Sequence, residues 1–297
     1  MSANDDLTPM ARASGSLAMV AMDQRESLRG MFDAAGRGRP ADDVLIDFKL
    51  AVARILGPLA SGFLIDRHYG FDRVRSGNLL TPGTGLILAA DALEQSDGGP
   101  VQDTSLDDIV VAPDFELAGV VALKLLVIWR RDARRDDRVV LAAQFVAAAR
   151  ERGVLSVLEP VVRATDLELR EGTWNMDDAI LEAARELSPL GASLYKAQVP
   201  LAGTGSPREQ LKASERLGRD IRGPWVVLSQ GVERDAFLPA VESACRAGAS
   251  GFLAGRALWS DVVGRVDVEA GLRELSVPRL ERLAEIVDRE ARPWSQV

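Results

Sequence analysis

The sequence predicts an α/β fold, a (β/α)8 TIM barrel that forms one domain over residues 1–297. Three observations predict it. Eight short apolar runs recur along the chain, helical patterns fall between them, and the runs are apolar throughout rather than alternating. Parallel strands covered on both faces by helices have that last property. A doubly wound open sheet is the competing architecture. It usually carries fewer strands, and no glycine-rich dinucleotide fingerprint follows the first run.

In chain order the runs are 17–23 (LAMVAMD), 62–67 (GFLIDR), 85–91 (GLILAAD), 123–130 (LKLLVIWR), 155–162 (LSVLEPVV), 193–200 (SLYKAQVP), 225–231 (WVVLSQG) and 251–256 (GFLAGR). Each has strand length, and several are rich in Val, Ile and Leu. Apolar residues at helical spacing mark 41–56, 138–153, 176–191 and 235–248, with 208–220 a more polar version. Gly153, Gly191 and Gly248 stand where C-terminal helix caps belong. Stretches 68–84 and 92–116 carry no clear pattern, and 96–100 (SDGGP) reads as an exposed turn. Residues 1–14 read as a short extension, and 277–294 as a closing amphipathic helix.

Composition narrows the chemistry. Apolar residues make up 47%, enough for a large core, and the net charge is −8 with no basic run. Overall charge therefore offers nothing to nucleic acid or an anionic membrane. The single cysteine, Cys245, excludes an intrachain disulfide and fits a reducing cytoplasm. No apolar run is long enough to cross a membrane, and the first residues lack a signal-peptide pattern. The single histidine, His68, excludes a zinc site built on several histidines, and magnesium has no motif here. No metal and no cofactor are expected.

Barrel chemistry gathers at the C-terminal ends of the strands. The runs end in Asp23, Asp66, Asp91, Arg130, Glu159, Ser229 and Arg256. Lys196 differs because it lies inside its run. Alternation puts it on one face with Leu194 and Gln198, opposite Tyr195, Ala197 and Val199. Pointing inward, it would sit in the upper barrel, where burial disfavours the charged form of a lysine. A neutral amine condenses with a ketone to a Schiff base, which withdraws electrons from a neighbouring carbon–carbon bond. An ion pair with Glu159 explains the same residue equally well. Lys124 either shares the interior, where two ammonium groups would help keep each other neutral, or lies at the bottom rim. Glu159 and Asp23 are candidate proton carriers. Ser229 and Gly231 in 229–232 (SQGV), with Gly255 and Arg256 in 254–257 (AGRA), are candidates to bind phosphate, because barrels often place phosphate after their last two strands. These readings converge on a Schiff-base barrel acting on a sugar phosphate.

At these residues the chain resembles bacterial class I aldolases related to tagatose-1,6-bisphosphate aldolase, with the sulfofructosephosphate aldolase branch nearest. The resemblance spans nearly the whole chain. It is carried by 19–32 (MVAMDQRESLRGMF), 123–132 (LKLLVIWRRD), 158–163 (LEPVVR), 194–200 (LYKAQVP), 227–232 (VLSQGV) and 248–259 (GASGFLAGRALW). It implies a metal-free barrel that cleaves a ketose 1-phosphate to dihydroxyacetone phosphate and an aldehyde. Lys196 would form the Schiff base, beside Asp23, Lys124 and Glu159. The sulfosugar branch implies 6-deoxy-6-sulfofructose 1-phosphate as substrate and 3-sulfolactaldehyde as product, with Gln24, Arg25 and Arg130 as candidates for the sulfonate. Tagatose 1,6-bisphosphate cleavage is the first alternative, and a sugar-phosphate-binding regulatory barrel without turnover is the second. The sequence departs from the family at Gln198, where glutamate is expected, and at Gln230, where a small residue is expected. A homo-oligomer is expected because the outer helices are apolar.

Overall fold

The computed structural model describes residues 6–97 and 99–297. Ten strands appear in chain order: β1 (Leu17–Met22), β2 (Gly62–Ile65), β3 (Gly85–Ala89), β4 (Asp91–Gln95), β5 (Val101–Leu106), β6 (Val120–Trp129), β7 (Leu155–Val162), β8 (Leu194–Gln198), β9 (Trp225–Leu228) and β10 (Gly251–Ala254). Eight of them close a parallel barrel in the order β1-β2-β3-β6-β7-β8-β9-β10, with β10 pairing back to β1. Each of the eight apolar runs supplies one barrel strand. The fourth begins at Val120, three residues before its run, so Lys124 lies well inside the strand and not at the bottom rim.

The outer layer follows the helical patterns closely. Helices form over Asp42–Leu56, Arg135–Glu151, Met176–Leu187, Pro207–Asp220, Arg234–Arg246 and Val277–Glu290. The polar one, Pro207–Asp220, has a strong start. Ser206 accepts from the Glu209 N–H, the Glu209 side chain reaches back to Ser206, and proline occupies the first turn. Gly153, Gly191 and Gly248 all adopt positive φ where the chain leaves a helix, as a cap glycine must.

Alternation along the strands sorts the interior. Leu194 joins Leu17, Met19, Leu64, Ile87, Val157 and Val226 in a dry lower layer. Tyr195 and Ala197, on the other face of β8, pack outward among the helices. Leu7 and Met10 of the N-terminal extension are fully buried in the same lower layer, so residues 6–14 plug the barrel bottom. The rest of the extension, 1–5, lies outside the described residues.

The unpatterned stretch 92–116 holds the one sheet the sequence does not announce. β4 and β5 pair antiparallel as a hairpin over the barrel mouth. Leu93 and Val101 turn down onto Leu126, Ile128, Val161 and Leu228. With Leu106 packed on the main core, the hairpin places few apolar residues against the barrel, which is too weak a period to read from sequence.

Candidate active site

Above the dry layer the barrel interior becomes charged. β7 and β8 pair with Val157 opposite Leu194, so Glu159 and Lys196 face inward at one level. The Lys196 ammonium lies 2.9 Å from Glu159 Oε1, and both residues are buried. Lys124, on β6, reaches three carboxylates: Asp23 at 2.7 Å, Asp91 at 3.0 Å and Glu159 Oε2 at 2.9 Å. Glu159 thus bridges the two lysines. Lys196 is thus inward, in the upper barrel, and ion-paired to Glu159.

Electrostatics corrects one expectation. Two lysines were expected to discourage each other's charge, yet three carboxylates surround Lys124. Burial opposes its charge, but Asp23, Asp91 and Glu159 outweigh that and hold its pKa well above the ordinary lysine value. Asp23 responds in kind. Burial would raise its carboxyl, but Lys124 and then Lys196 hold it well below the usual range. Lys124 is therefore a fixed cation and Asp23 a fixed anion.

The charged network runs beyond the barrel centre. Asp91 holds Lys124 with Oδ2, which also accepts the Leu126 N–H at 3.1 Å. Its Oδ1 accepts from Arg25 at 2.8 Å, and its carbonyl accepts a second Arg25 N–H at 2.9 Å. Arg25 Nε stands 4.0 Å from Asp66, which pairs with Lys49 of the helix Asp42–Leu56. Lys49 and Asp66 are wholly buried. Burial lowers the Lys49 pKa despite the attraction of Asp66. Lys49, Asp66, Arg25, Asp91, Lys124, Asp23, Glu159 and Lys196 thus form one path with four cations and four anions. Arg25 lines the cavity, but its guanidinium is committed to Asp91. Arg25, a candidate for the sulfonate, thus reaches the cavity while held by Asp91.

The cavity over this network has a volume of about 130 Å³. Asp23, Lys124, Glu159 and Gln24 line it, and the hairpin covers one side through Leu93 and Val101. Lys196 lies behind Glu159 and is not itself part of the wall. Gln24 has a buried Oε1 without a hydrogen-bond partner, so this oxygen can accept from a donor on a bound molecule. Of the expected phosphate group, Arg256 lines the cavity, beside Gln230. Ser229, Gly231 and Gly255 lie outside the lining. The Ser229 hydroxyl accepts the Ala257 N–H, tying the end of β9 to the turn that carries Arg256. Gly255 lets that turn close on β1, since a Cβ there would stand 2.6 Å from the Ala21 carbonyl.

Arg130, another candidate for the sulfonate, is turned to the hairpin. Its guanidinium donates to the Gln102 carbonyl of the hairpin at 3.0 Å and does not line the cavity. Arg163 does, and sequence reasoning missed it. The signal was parity: Glu159, Val161 and Arg163 share one face of β7, and all three line the wall. Asp66 and Asp91 were visible as polar strand ends without a role. Lys49 sat unremarked in a helix whose neighbours Phe48, Leu50 and Ala51 are all buried. Gln198, the departure from the family pattern, accepts the Val162 N–H at 2.7 Å. A neutral side chain suffices for that bond. No cluster of three or more histidine, cysteine or acidic side chains among the described residues could hold a metal ion.

Comparison with known proteins is decisive at the level of family. A model of the DeoC/LacD family of aldolases matches residues 17–261. The chain belongs to the DeoC/LacD aldolase family. This aldolase is 25% identical over 312 residues to tagatose 1,6-diphosphate aldolase 2 of Streptococcus pyogenes serotype M1, covering 95% of this chain and 94% of the relative. It is also 25% identical over 317 residues to tagatose 1,6-diphosphate aldolase of Listeria monocytogenes serotype 4a (strain HCC23), covering 98% and 93%. Among solved structures, fructose-bisphosphate aldolase from Plasmodium falciparum superimposes with a TM-score of 0.69 at 16% identity, covering 96% of this chain and 93% of the other. An archaeal fructose-1,6-bisphosphate aldolase, whose catalytic lysine carries the carbinolamine intermediate, superimposes with a TM-score of 0.57 at 15% identity, covering 96% and 99%. At these identities the structures speak to the barrel alone. Family and fold agree, and the enzyme is an aldolase.

Proposed function

We propose that this aldolase cleaves a ketose 1-phosphate to dihydroxyacetone phosphate, with Lys196 as the Schiff-base nucleophile. The reading is carried by the Lys196–Glu159 pair, beside a lysine that three carboxylates hold charged. Glu159 takes a proton from the Lys196 ammonium, freeing the amine to attack the C2 ketone. It returns that proton to the departing oxygen, and water leaves as the iminium forms. Glu159, again a carboxylate, then accepts the C4 hydroxyl proton. The C3–C4 bond breaks, its electrons reduce the iminium to an enamine, and the aldehyde departs. Protonation at C3 and hydrolysis release dihydroxyacetone phosphate. Asp23 and Lys124 hold substrate hydroxyls, and Arg256 holds the C1 phosphate.

For the aldehyde half, 6-deoxy-6-sulfofructose 1-phosphate is the proposed substrate and 3-sulfolactaldehyde the product. One free guanidinium beyond Arg256 suits a sulfonate monoanion with three acceptors. Tagatose 1,6-bisphosphate is the second reading, favoured by the names of the relatives. A barrel without turnover loses its support, because Gln198 is employed in holding β7. Borohydride reduction in the presence of dihydroxyacetone phosphate is expected to leave an adduct on Lys196, with none in Lys196→Arg. A wild-type protein that gives no adduct would remove the mechanism. A preference above about tenfold (~1.4 kcal/mol in the barrier) for the bisphosphate would remove the sulfosugar assignment.

A further inference from the structure

We infer that Arg163 reads the charge at the far end of the substrate and makes the enzyme selective for a monoanionic group on C6. The inference rests on the aldolase reading above and adds the residue that sets specificity.

Two arginines reach the cavity without a carboxylate partner among the described residues, Arg163 and Arg256. Nearly every other cation around the mouth is paired: Arg25 to Asp91, Lys124 to three acids, Lys196 to Glu159. Burial and then the charge of Arg256 lower the Arg163 pKa, and burial does the same to Arg256. Two half-hidden, mutually repelling cations facing one cavity are unfavourable until anions arrive.

Their places around the rim give the substrate a direction. Arg256 follows β10, Lys196 is on β8, and Glu159 and Arg163 are on or just after β7, with β9 between the first two. A ketose with its C1 phosphate on Arg256 and C2 over Lys196 passes C4 to Glu159 and points C6 along β7. Arg163 lies four residues beyond Glu159 on the same face, about 13 Å along the strand. Its backbone is fixed at both sides. The Arg163 N–H donates to the Trp129 carbonyl at 2.9 Å, and Gln198 holds the N–H of Val162. Its guanidinium makes only a long contact, 3.4 Å, to the Val162 carbonyl. The neighbouring cation that could complete a dianion site, Arg130, is drawn off by the Gln102 carbonyl and stands 3.9 Å from Asp132. One available charge, that of Arg163, matches a monoanion, and leaves one charge of a phosphate dianion unmatched.

The test compares kcat/KM on three ketose 1-phosphates, with C6 bearing a hydroxyl, a sulfonate or a phosphate. In the wild type the sulfonate is expected to exceed the hydroxyl by at least about 100-fold. Arg163→Met is expected to cut that ratio by at least about 30-fold (~2 kcal/mol), chiefly through KM. Arg163→Lys, which keeps the charge and guards against a misfolded variant, is expected to recover most of it. Arg130→Met is expected to leave the ratio within about threefold. An unchanged ratio in Arg163→Met, or equal losses in the Arg163 and Arg130 variants, overturns the inference. So does a wild type preferring phosphate over sulfonate. Borohydride trapping with dihydroxyacetone phosphate separates the two levels. A trapped wild type with an unchanged ratio condemns only the role of Arg163, whereas an untrapped wild type removes the aldolase reading beneath it.

Discussion

Lys49 and Asp66 lie off the cavity, at the far end of the charged path that runs through Arg25 to Asp91. Lys49→Met leaves the Asp66 carboxylate, wholly buried, with the Tyr69 N–H at 2.9 Å and Arg25 Nε at 4.0 Å as its remaining polar neighbours. Breaking one side of a buried pair costs about 3–5 kcal/mol. Unfolding entropy near ~2.1 cal/mol/K per residue, over 297 residues, makes each kcal/mol about 1.6 °C. The melting temperature is therefore expected to fall by about 5–8 °C. The double variant Lys49→Met with Asp66→Asn removes both charges and keeps an acceptor for the Tyr69 N–H, so it is expected to recover most of the loss. Asp66→Asn alone adds a pH signature. Lys49 already has a folded pKa below its unfolded value, so between those values the unfolded chain binds more protons and stability rises with pH. Losing Asp66 lowers the folded pKa further and widens that window. Thermal melts from pH 7 to pH 9.5 are expected to show Asp66→Asn gaining on the wild type as pH rises, while Lys49→Met does not. Additive losses in the double variant, or parallel pH curves for the two singles, would refute the reasoning.

Two further outcomes are expected. Asp23→Asn removes a carboxylate that touches Lys124, and kcat is expected to drop by about 100-fold or more, with imine trapping retained. The Asp23 carboxyl is depressed, so its contribution is present above the ordinary aspartate value and is lost only as pH falls through its lower folded value. A pH profile of kcat/KM in the wild type should accordingly show no loss near pH 4 attributable to Asp23. Cys245 is buried, and burial with nearby Glu290 and Glu242 pushes its thiol up to about 12. Thiol reagents at pH 8 are expected to leave activity intact and to label Cys245 only after unfolding, which rapid labelling of the native enzyme would contradict.

The barrel was legible because its signal is repeated and made of large terms. Strands such as Leu155–Val162 and Leu194–Gln198 are buried at every position, and so mostly apolar, since helices cover one side and the barrel interior the other. The β4–β5 hairpin escaped because its packing residues, such as Leu93 and Val101, belong to no long-range repeat. The same contrast divides the site. Lys196 stood out as a charge within an apolar strand, and Glu159 followed as its neighbour. The inference failed where a residue's role depends on who reaches it first. Arg25, Arg130 and Arg163 are alike in the sequence: each follows or ends a barrel strand, and each is long enough to reach the mouth. Asp91, the last residue of the third run, captures the first, and the Gln102 carbonyl, within the stretch that the sequence leaves unpatterned, captures the second. The hairpin stretch thus decides which guanidinium remains free, and the specificity of the cavity follows from a competition for partners that no single strand records.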